Sequence, residues 1–311
     1  MTDLYQSLQS LVDNVSRVVV GKDETIRLVV SSMLSHGHVL LEDKPGVGKT
    51  ILARAIAKSV DCTFKRIQCT PDLLPVDVTG YFDPRSREFR QGPVFTNILL
   101  ADELNRATPR TQSALLEAMG EGQVSVEGET YLLPSPFIVI ATQNPVEHRG
   151  VNDLPEAQLD RFQVLLTPGY PSESEEKRIL MNRQVRDPLL DLSPVMDLAR
   201  LRELIDHVPT IIMSESLIDY VIALVRATRQ SNLLHVGASP RCALQLMQLS
   251  RAYAFVEGRG YVVPDDVKTL AKHVLPHRVL PNTSSSETMN TTEWKQEIVK
   301  RIIEDSRPPK S

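Results

Sequence analysis

Residues 44–50, KPGVGKT, place a lysine and a threonine behind two glycines and directly ahead of a helical pattern, TILARAIAKSV. That order suits phosphate chemistry. Backbone N–H groups and the positive end of a helix aim at phosphate oxygens, Lys49 brings a charge to β- and γ-phosphates, and the Thr50 hydroxyl can ligate Mg²⁺. Asp43 stands where the usual G-x-x-x-x-G-K-[ST] pattern has its first glycine. A side chain at that strand end can turn away from the phosphates, and Gly46 and Gly48, which permit the close wrap, are kept. A glycine-rich turn opening an ordinary helix is the plainer reading, but it needs neither the lysine nor the threonine.

Three more segments carry groups that phosphoryl transfer uses. In ILLADELNRA four apolar residues run into Asp102 and Glu103. At the C-terminal end of a buried strand, one carboxylate can hold Mg²⁺ through water while its neighbour polarises an attacking water. IVIATQNP ends a similar run at Gln143 and Asn144. A neutral amide there can orient the water or sense the γ-phosphate, although Asn before Pro145 is also an ordinary turn signal. Arg161 in LPEAQLDRF and Arg241 in GASPRC lie outside the loop. Each alone reads as a surface charge, yet guanidinium groups facing developing phosphate charge are what such a reaction gains most from.

These groups need a scaffold that brings strand ends together. The runs HVLLE (38–42), FKRIQ (64–68), NILLAD (97–102) and FIVIAT (137–142) alternate with helical patterns between about 18 and 168. Short continuous apolar runs of this kind read as strands buried on both faces of a parallel sheet, hence an α/β unit. From about 172 the pattern is helical almost throughout. Ser172 with Glu175 makes a capping box, Ser239-Pro240 is a helix start, and Pro264-Asp265-Asp266 opens another with acids at the positive end of the dipole. NTSSSETMNTTE after Pro281 is a polar linker, and EWKQEIVKRIIED is a last helix expected to dock through Trp294, Ile298 and Ile302.

Bulk properties narrow the field. A formal net charge of -4 gives no electrostatic pull toward nucleic acid or an anionic membrane. No run reaches the roughly 18 apolar residues of a membrane span, and MTDLYQSLQSLVDNV lacks the basic and apolar regions of a secretion signal. Cys62, Cys69 and Cys242 have no metal-type spacing and read as buried thiols in a reducing cytoplasm. His273 and His277 are interrupted by Pro276, which argues against a zinc pair.

Taken in order, KPGVGKT, LLADEL, ATQNP, LPEAQLDRF and GASPR resemble the AAA+ ATPases, specifically the MoxR family, over roughly residues 5 to 280. IQCTPDLLPVDVTG, TQSALLEAMGEGQVSVEGETY and VVPDDVK strengthen the likeness. The resemblance implies an AAA+ P-loop core with a parallel sheet flanked by helices over 1–170, an all-helical lid over 171–280, and a linker with a short C-terminal helix over 281–311. It implies an insertion at about 71–94 and a hairpin at about 121–134 turning at Glu127-Gly128. It also implies a cytoplasmic Mg²⁺-dependent ATPase, forming ADP and phosphate in a ring, commonly a hexamer. Such rings act as chaperone-like remodelling factors that mature or activate a partner protein or complex, often one with a von Willebrand factor A domain.

Carried over by position, Lys44, Pro45, Gly46, Val47, Gly48, Lys49, Thr50 and Ile51 form the nucleotide loop, and Val20 and Gly21 line the adenine pocket. Thr50 and Asp102 serve the metal, Glu103 is the general base and Asn144 the sensor. Arg161 reaches a neighbour's γ-phosphate, and Arg241 senses nucleotide from a lid that swings on a linker near 168–172. Two departures, the short insertion YFDPRSREFRQGPVF and Val151-Asn152-Asp153, fall on surfaces expected to meet a partner.

Two other functions compete. Related rings translocate on nucleic acid, and Arg85, Arg87 and Arg90 cluster in the insertion, but GEGQVSVEGETY holds three Glu and no Lys or Arg where a DNA grip needs positive charge. A small-molecule kinase shares the loop but needs neither a neighbour's arginine nor a helical lid.

Overall fold

The computed structural model describes residues 2–42, 48–144, 152–182, 187–282 and 292–309. Two helices, α1 (Thr2–Ser16) and α2 (Asp23–Leu34), precede strand β1 (Val39–Glu42), which leads to α3 (Lys49–Ser59) and β2 (Phe64–Gln68). There follow α4 (Pro75–Thr79), the pair β3 (Gly80–Asp83) and β4 (Glu88–Gln91), β5 (Ile98–Asp102), α5 (Pro109–Glu121), the pair β6 (Gln123–Val126) and β7 (Glu129–Leu132), β8 (Ile138–Gln143), α6 (Glu156–Leu159) and β9 (Val164–Leu166). Among the described residues the main sheet has five strands in the order β2-β5-β8-β1-β9, and every pairing is parallel. All strands therefore end on one edge, which gathers Glu42, Asp102 and Gln143.

The apolar runs are continuous because both faces are covered. Val39, Leu41, Ile98, Leu100, Ile138, Ile140, Val164 and Leu166 point into one core, and Leu40, Leu99, Ala101, Val139, Ala141 and Leu165 into the other. That alternation is the two-residue period of a strand applied to a sheet with no wet face. The second core lies under α5 and the hairpins. There Phe89 of β4 stacks on Tyr131 of β7 at 4.1 Å and meets Phe95 edge-on at 5.5 Å, so the two hairpins are packed as one body. The β6–β7 hairpin pairs Val126 with Glu129 and thus turns at Glu127-Gly128. Tyr81 and Leu132 stand exposed on the same body.

The remaining chain is mostly helical: α7 (Glu173–Asn182), α8 (Pro188–Asp191), α9 (Leu198–His207), α10 (Glu215–Gln230), α11 (Pro240–Val256), α12 (Pro264–Val274) and α13 (Thr292–Asp305). The capping signals act as read. Ser239 Oγ accepts from Cys242 N at 3.3 Å, and Glu175 Oε2 accepts from Ser172 N at 2.7 Å. Ile298, Val299, Ile302 and Ile303 bury the inner face of α13, with Trp294 packed alongside. The helical pattern missed one feature, a short antiparallel ladder between β10 (Leu234–Val236) and β11 (Leu280–Pro281), which closes on the linker through Asn282 N to Leu233 O at 2.8 Å. None of the described helices is long and apolar enough to cross a membrane.

These helices share their core with α1, α2, α3 and one face of the sheet. Helix α11 packs on α2, and Arg27 pairs with Glu257 at 3.2 Å across that contact. At the linker near 168–172, Lys22 Nζ donates to Pro168 O at 2.7 Å and to Gly169 O at 3.1 Å.

Candidate functional site

At the C-terminal edge of the sheet, β1 delivers the loop to α3. Asp43, Lys44, Pro45, Gly46 and Val47 lie outside the described residues; Gly48, Lys49, Thr50 and Ile51 lie within them. Gly48 holds φ 90°, a backbone setting that side chains with a Cβ rarely adopt, and Lys49 begins the helix directly after it. The first turn of α3 thus offers backbone N–H groups toward the space beyond Glu42. Beside it Val18, Val20, Ile51, Pro171 and Ile179 wall an apolar slot with Asn182 at its rim. Gly21 forms part of the same bend: at φ 74°, a Cβ would meet Glu175 Oε1 at 2.0 Å.

The acids stand two strands away on the same edge. Parallel register sets Gln68 beside Asp102 and Ala101 beside Ala141, so Thr142 reaches Asp102 as well. Thr142 Oγ1 donates to Asp102 Oδ1 at 2.6 Å and accepts from Glu103 N at 2.9 Å. Arg66 Nη2 donates to Asp102 Oδ2 at 2.7 Å. Glu103 turns the chain at φ 56°, and its Oε2 accepts from Gln68 Nε2 at 2.8 Å and Arg106 Nη1 at 3.2 Å. Asn144 closes the row, its carbonyl accepting from Asn105 Nδ2 at 3.4 Å, while Gln143 Nε2 donates to the buried Glu42 at 2.7 Å. Beneath the pair, burial and then the charges of Asp102 and Glu103 push the Cys69 thiol up to about 12, so it stays protonated and inert.

This donor set fits Mg²⁺ and a nucleotide triphosphate. Asp102 already holds a cation, the Arg66 guanidinium, as a carboxylate suited to a metal would. A hydroxyl, Thr50, sits at the head of α3, and the neighbouring slot is apolar as a purine face requires.

The arginines are elsewhere. Arg161 Nη1 donates to Leu116 O at 2.7 Å, on the C-terminal half of α5. One turn on, Met119 O accepts from Nε2 of His38, whose Nδ1 accepts from Val139 N at 3.0 Å. His38 precedes β1, so this is the N-terminal end of the sheet. Burial holds His38 down to about 4. Arg241 is the second residue of α11, whose cap Ser239 donates to Asp160 Oδ2 at 3.3 Å, next to Arg161. A four-residue strand spans roughly 13 Å. Arg161 and Arg241 therefore share one end of the molecule, and Gly48, Lys49, Thr50, Asp102, Glu103 and Asn144 share the other.

Several members were not apparent from the sequence. Arg66, Gln68 and Thr142 enter only through strand register. Arg278, discussed below, has no motif at all; its signal is a charge inside an otherwise buried stretch, VLPHRVL.

Comparison with known proteins identifies the family. The ATPase family associated with various cellular activities (AAA) matches residues 38–164, and an AAA lid domain matches 226–302. The chain is 43% identical to Chaperone MoxR1 of Mycobacterium tuberculosis over 293 residues, 88% of this chain and 76% of that protein. It is 48% identical to the uncharacterized protein YeaC of Bacillus subtilis over 282 residues, 89% of this chain and 88% of YeaC. A crystal structure of a candidate ATPase from Cytophaga hutchinsonii superposes with a TM-score of 0.89 at 34% identity, covering 99% of this chain and 97% of that one.

Proposed function

Since the chain belongs to the MoxR family of AAA+ ATPases, we propose that it hydrolyses ATP at a site completed by a second copy of itself, within a ring that remodels a partner protein. The observation that carries this reading is the separation of the two ends. Arg161 and Arg241 lie toward the end of the sheet where β1 begins, beside α5 and His38, whereas Gly48–Thr50 follow its other end. Copies arranged head to tail bring one end against the other, and repeating that contact generates a ring when the rotation closes.

In such a site Gly48 and the first turn of α3 receive the phosphates, Lys49 and Thr50 face the β- and γ-groups, and the slot by Val20 and Ile51 takes the adenine. Thr50 and Asp102 would hold Mg²⁺, which would supply charge neutralisation to the phosphates. Glu103 takes a proton from water as the water oxygen bonds to the γ-phosphorus and the bridging P–O bond breaks, leaving ADP and phosphate. Asn144 orients that water. The neighbour's Arg161 and Arg241 stabilise the charge that gathers on the transferred group. Shape change on hydrolysis reaches the packed hairpins, which present Tyr81, Leu132 and the acidic tip to the partner.

The experiment is ATP turnover against protein concentration, with Glu103→Gln and Arg161→Ala beside the wild type. Specific activity should rise with concentration. Glu103→Gln should lose about 100-fold or more in turnover while still binding ATP, and Arg161→Ala should do the same. Normal turnover in Arg161→Ala would remove the shared site. Absence of ATP binding would show that Asp43 has spoiled the loop.

A further inference from the structure

Arg278 is the most heavily bonded side chain among the described residues, and it is 1% exposed. Its Nε donates to Asp160 Oδ1 at 2.8 Å, and its Nη1 donates to Gln163 O at 3.2 Å and to Val274 O. Its Nη2 donates to Phe162 O, to Gln245 Oε1 and, at 3.4 Å, to Asp160 O. The adjacent His277 donates from Nε2 to Phe162 O at 2.9 Å. Asp160 in turn accepts from Ser239 Oγ at 3.3 Å. Gln163 N donates to His38 O at 2.8 Å, fixing the same loop to the start of β1.

The residues so joined bracket both arginines. Asp160 and Phe162 flank Arg161, and Ser239 caps the helix on which Arg241 is the second residue. We propose that Asp160 and Arg278 form a positioning node that holds Arg161 and Arg241 at a fixed spacing, so that a chain presents them to its neighbour as one pre-set pair. A planar guanidinium with five donors is suited to this because it engages four carbonyls, a carboxylate and an amide oxygen at once, which a lysine cannot. Neither residue touches the nucleotide; both act through the arginines. This rests on the reading that Arg161 serves a neighbour's site.

The test uses the full chain with Asp160→Asn, which keeps shape but removes the charge. The variant should bind ADP at its own loop within about twofold of wild type by calorimetry. Its turnover at saturating ATP should fall about 10- to 100-fold, the scale expected when a catalytic group is displaced by an ångström, with KM little changed. Mixed in equal amount with Glu103→Gln, it should recover activity several-fold above the two proteins measured apart. In that mixture, junctions form between its intact Glu103 and the other chain's intact arginines. Should Asp160→Asn fail to fold, Asp160→Glu keeps the ion pair, shifts the loop and enters the same mixing experiment.

Wild-type turnover in the folded variant overturns the proposal. So does a mixture that stays inactive while Arg161→Ala mixed with Glu103→Gln recovers, since the lesion would then be general damage. If Arg161→Ala also fails to recover, the shared site is wrong and the node falls with it.

Discussion

The two ends of the sheet use the same side chains in opposite ways. At the C-terminal edge, the ion pairs of Asp102 with Arg66 and of Glu103 with Arg106 leave the arginines 43% and 40% exposed. At the N-terminal end, the pair of Asp160 with Arg278 leaves the guanidinium 1% exposed. Exposed pairs contribute little and exchange readily with water or a competing ion. A buried pair cannot lose one member without stranding a charge in a poor solvent for it. The difference teaches which end has to move. On the proposed function, Asp102 and Glu103 would have to release their present partners as nucleotide binds, whereas Arg161 and Arg241 would be useful only if they arrive already placed.

The sharpest way to break this contrast is to delete one arginine from each end. Arg278→Met should destabilise the fold by about 3–5 kcal/mol, because it strips buried donors from four backbone carbonyls and the Gln245 amide oxygen. Arg66→Met should change stability by at most about 1 kcal/mol. Urea unfolding of the two variants measures both. Equal losses would mean that the ends do not differ in kind.

A second measurement sharpens the same contrast through pH. His38 is neutral in the fold at about 4 but takes a proton near 6.5 when unfolded. Its folded value is lowered, so the unfolded chain binds more protons between those limits, and stability falls as the pH drops from 6.5 toward 4. The full effect is about 3 kcal/mol at 1.36 kcal/mol per unit. His38→Gln can still donate to Met119 O and accept from Val139 N, yet carries no such titration. The difference in unfolding free energy between the two proteins should therefore change by about that amount from pH 7 to pH 4. His277, lowered in the same direction by burial, is present in both and cancels. Parallel pH curves would show that His38 is not buried as the fold has it.

Much of the architecture could be read in advance because it depends on local order. Four apolar runs specify strands, Ser239-Pro240 specifies a helix start, and the Lys49, Asp102, Glu103 and Asn144 segments each end at a strand terminus that parallel pairing must align. What could not be read depends on distance between chain-remote residues. Gln68 and Thr142 meet Glu103 and Asp102 only through register, and Arg278 meets Asp160 across 118 residues. The union of lid and core was hidden for the same reason: the apolar face of α11 is plain in the sequence, but its contact with α2 is a packing fact. The β10–β11 ladder is too short, and Pro281 too unlike a strand residue, for any pattern to reveal it.

The smallest effect is expected at the exchangeable end, in Gln68→Ala. Gln68 and Arg106 both donate to Glu103 Oε2, and the Gln68 amide draws the carboxylate toward β2. Removing the amide takes away one hydrogen bond, worth about 1 kcal/mol net, so basal turnover should rise by about 2- to 5-fold with KM unchanged. Arg106 remains to keep Glu103 from collapsing elsewhere. A rise would mark the contact as a restraint that ligand binding must undo, in line with an edge built to rearrange. A fall of about tenfold or more would mean that Gln68 aims the base, and that the C-terminal edge is pre-set in the same sense as the arginine end.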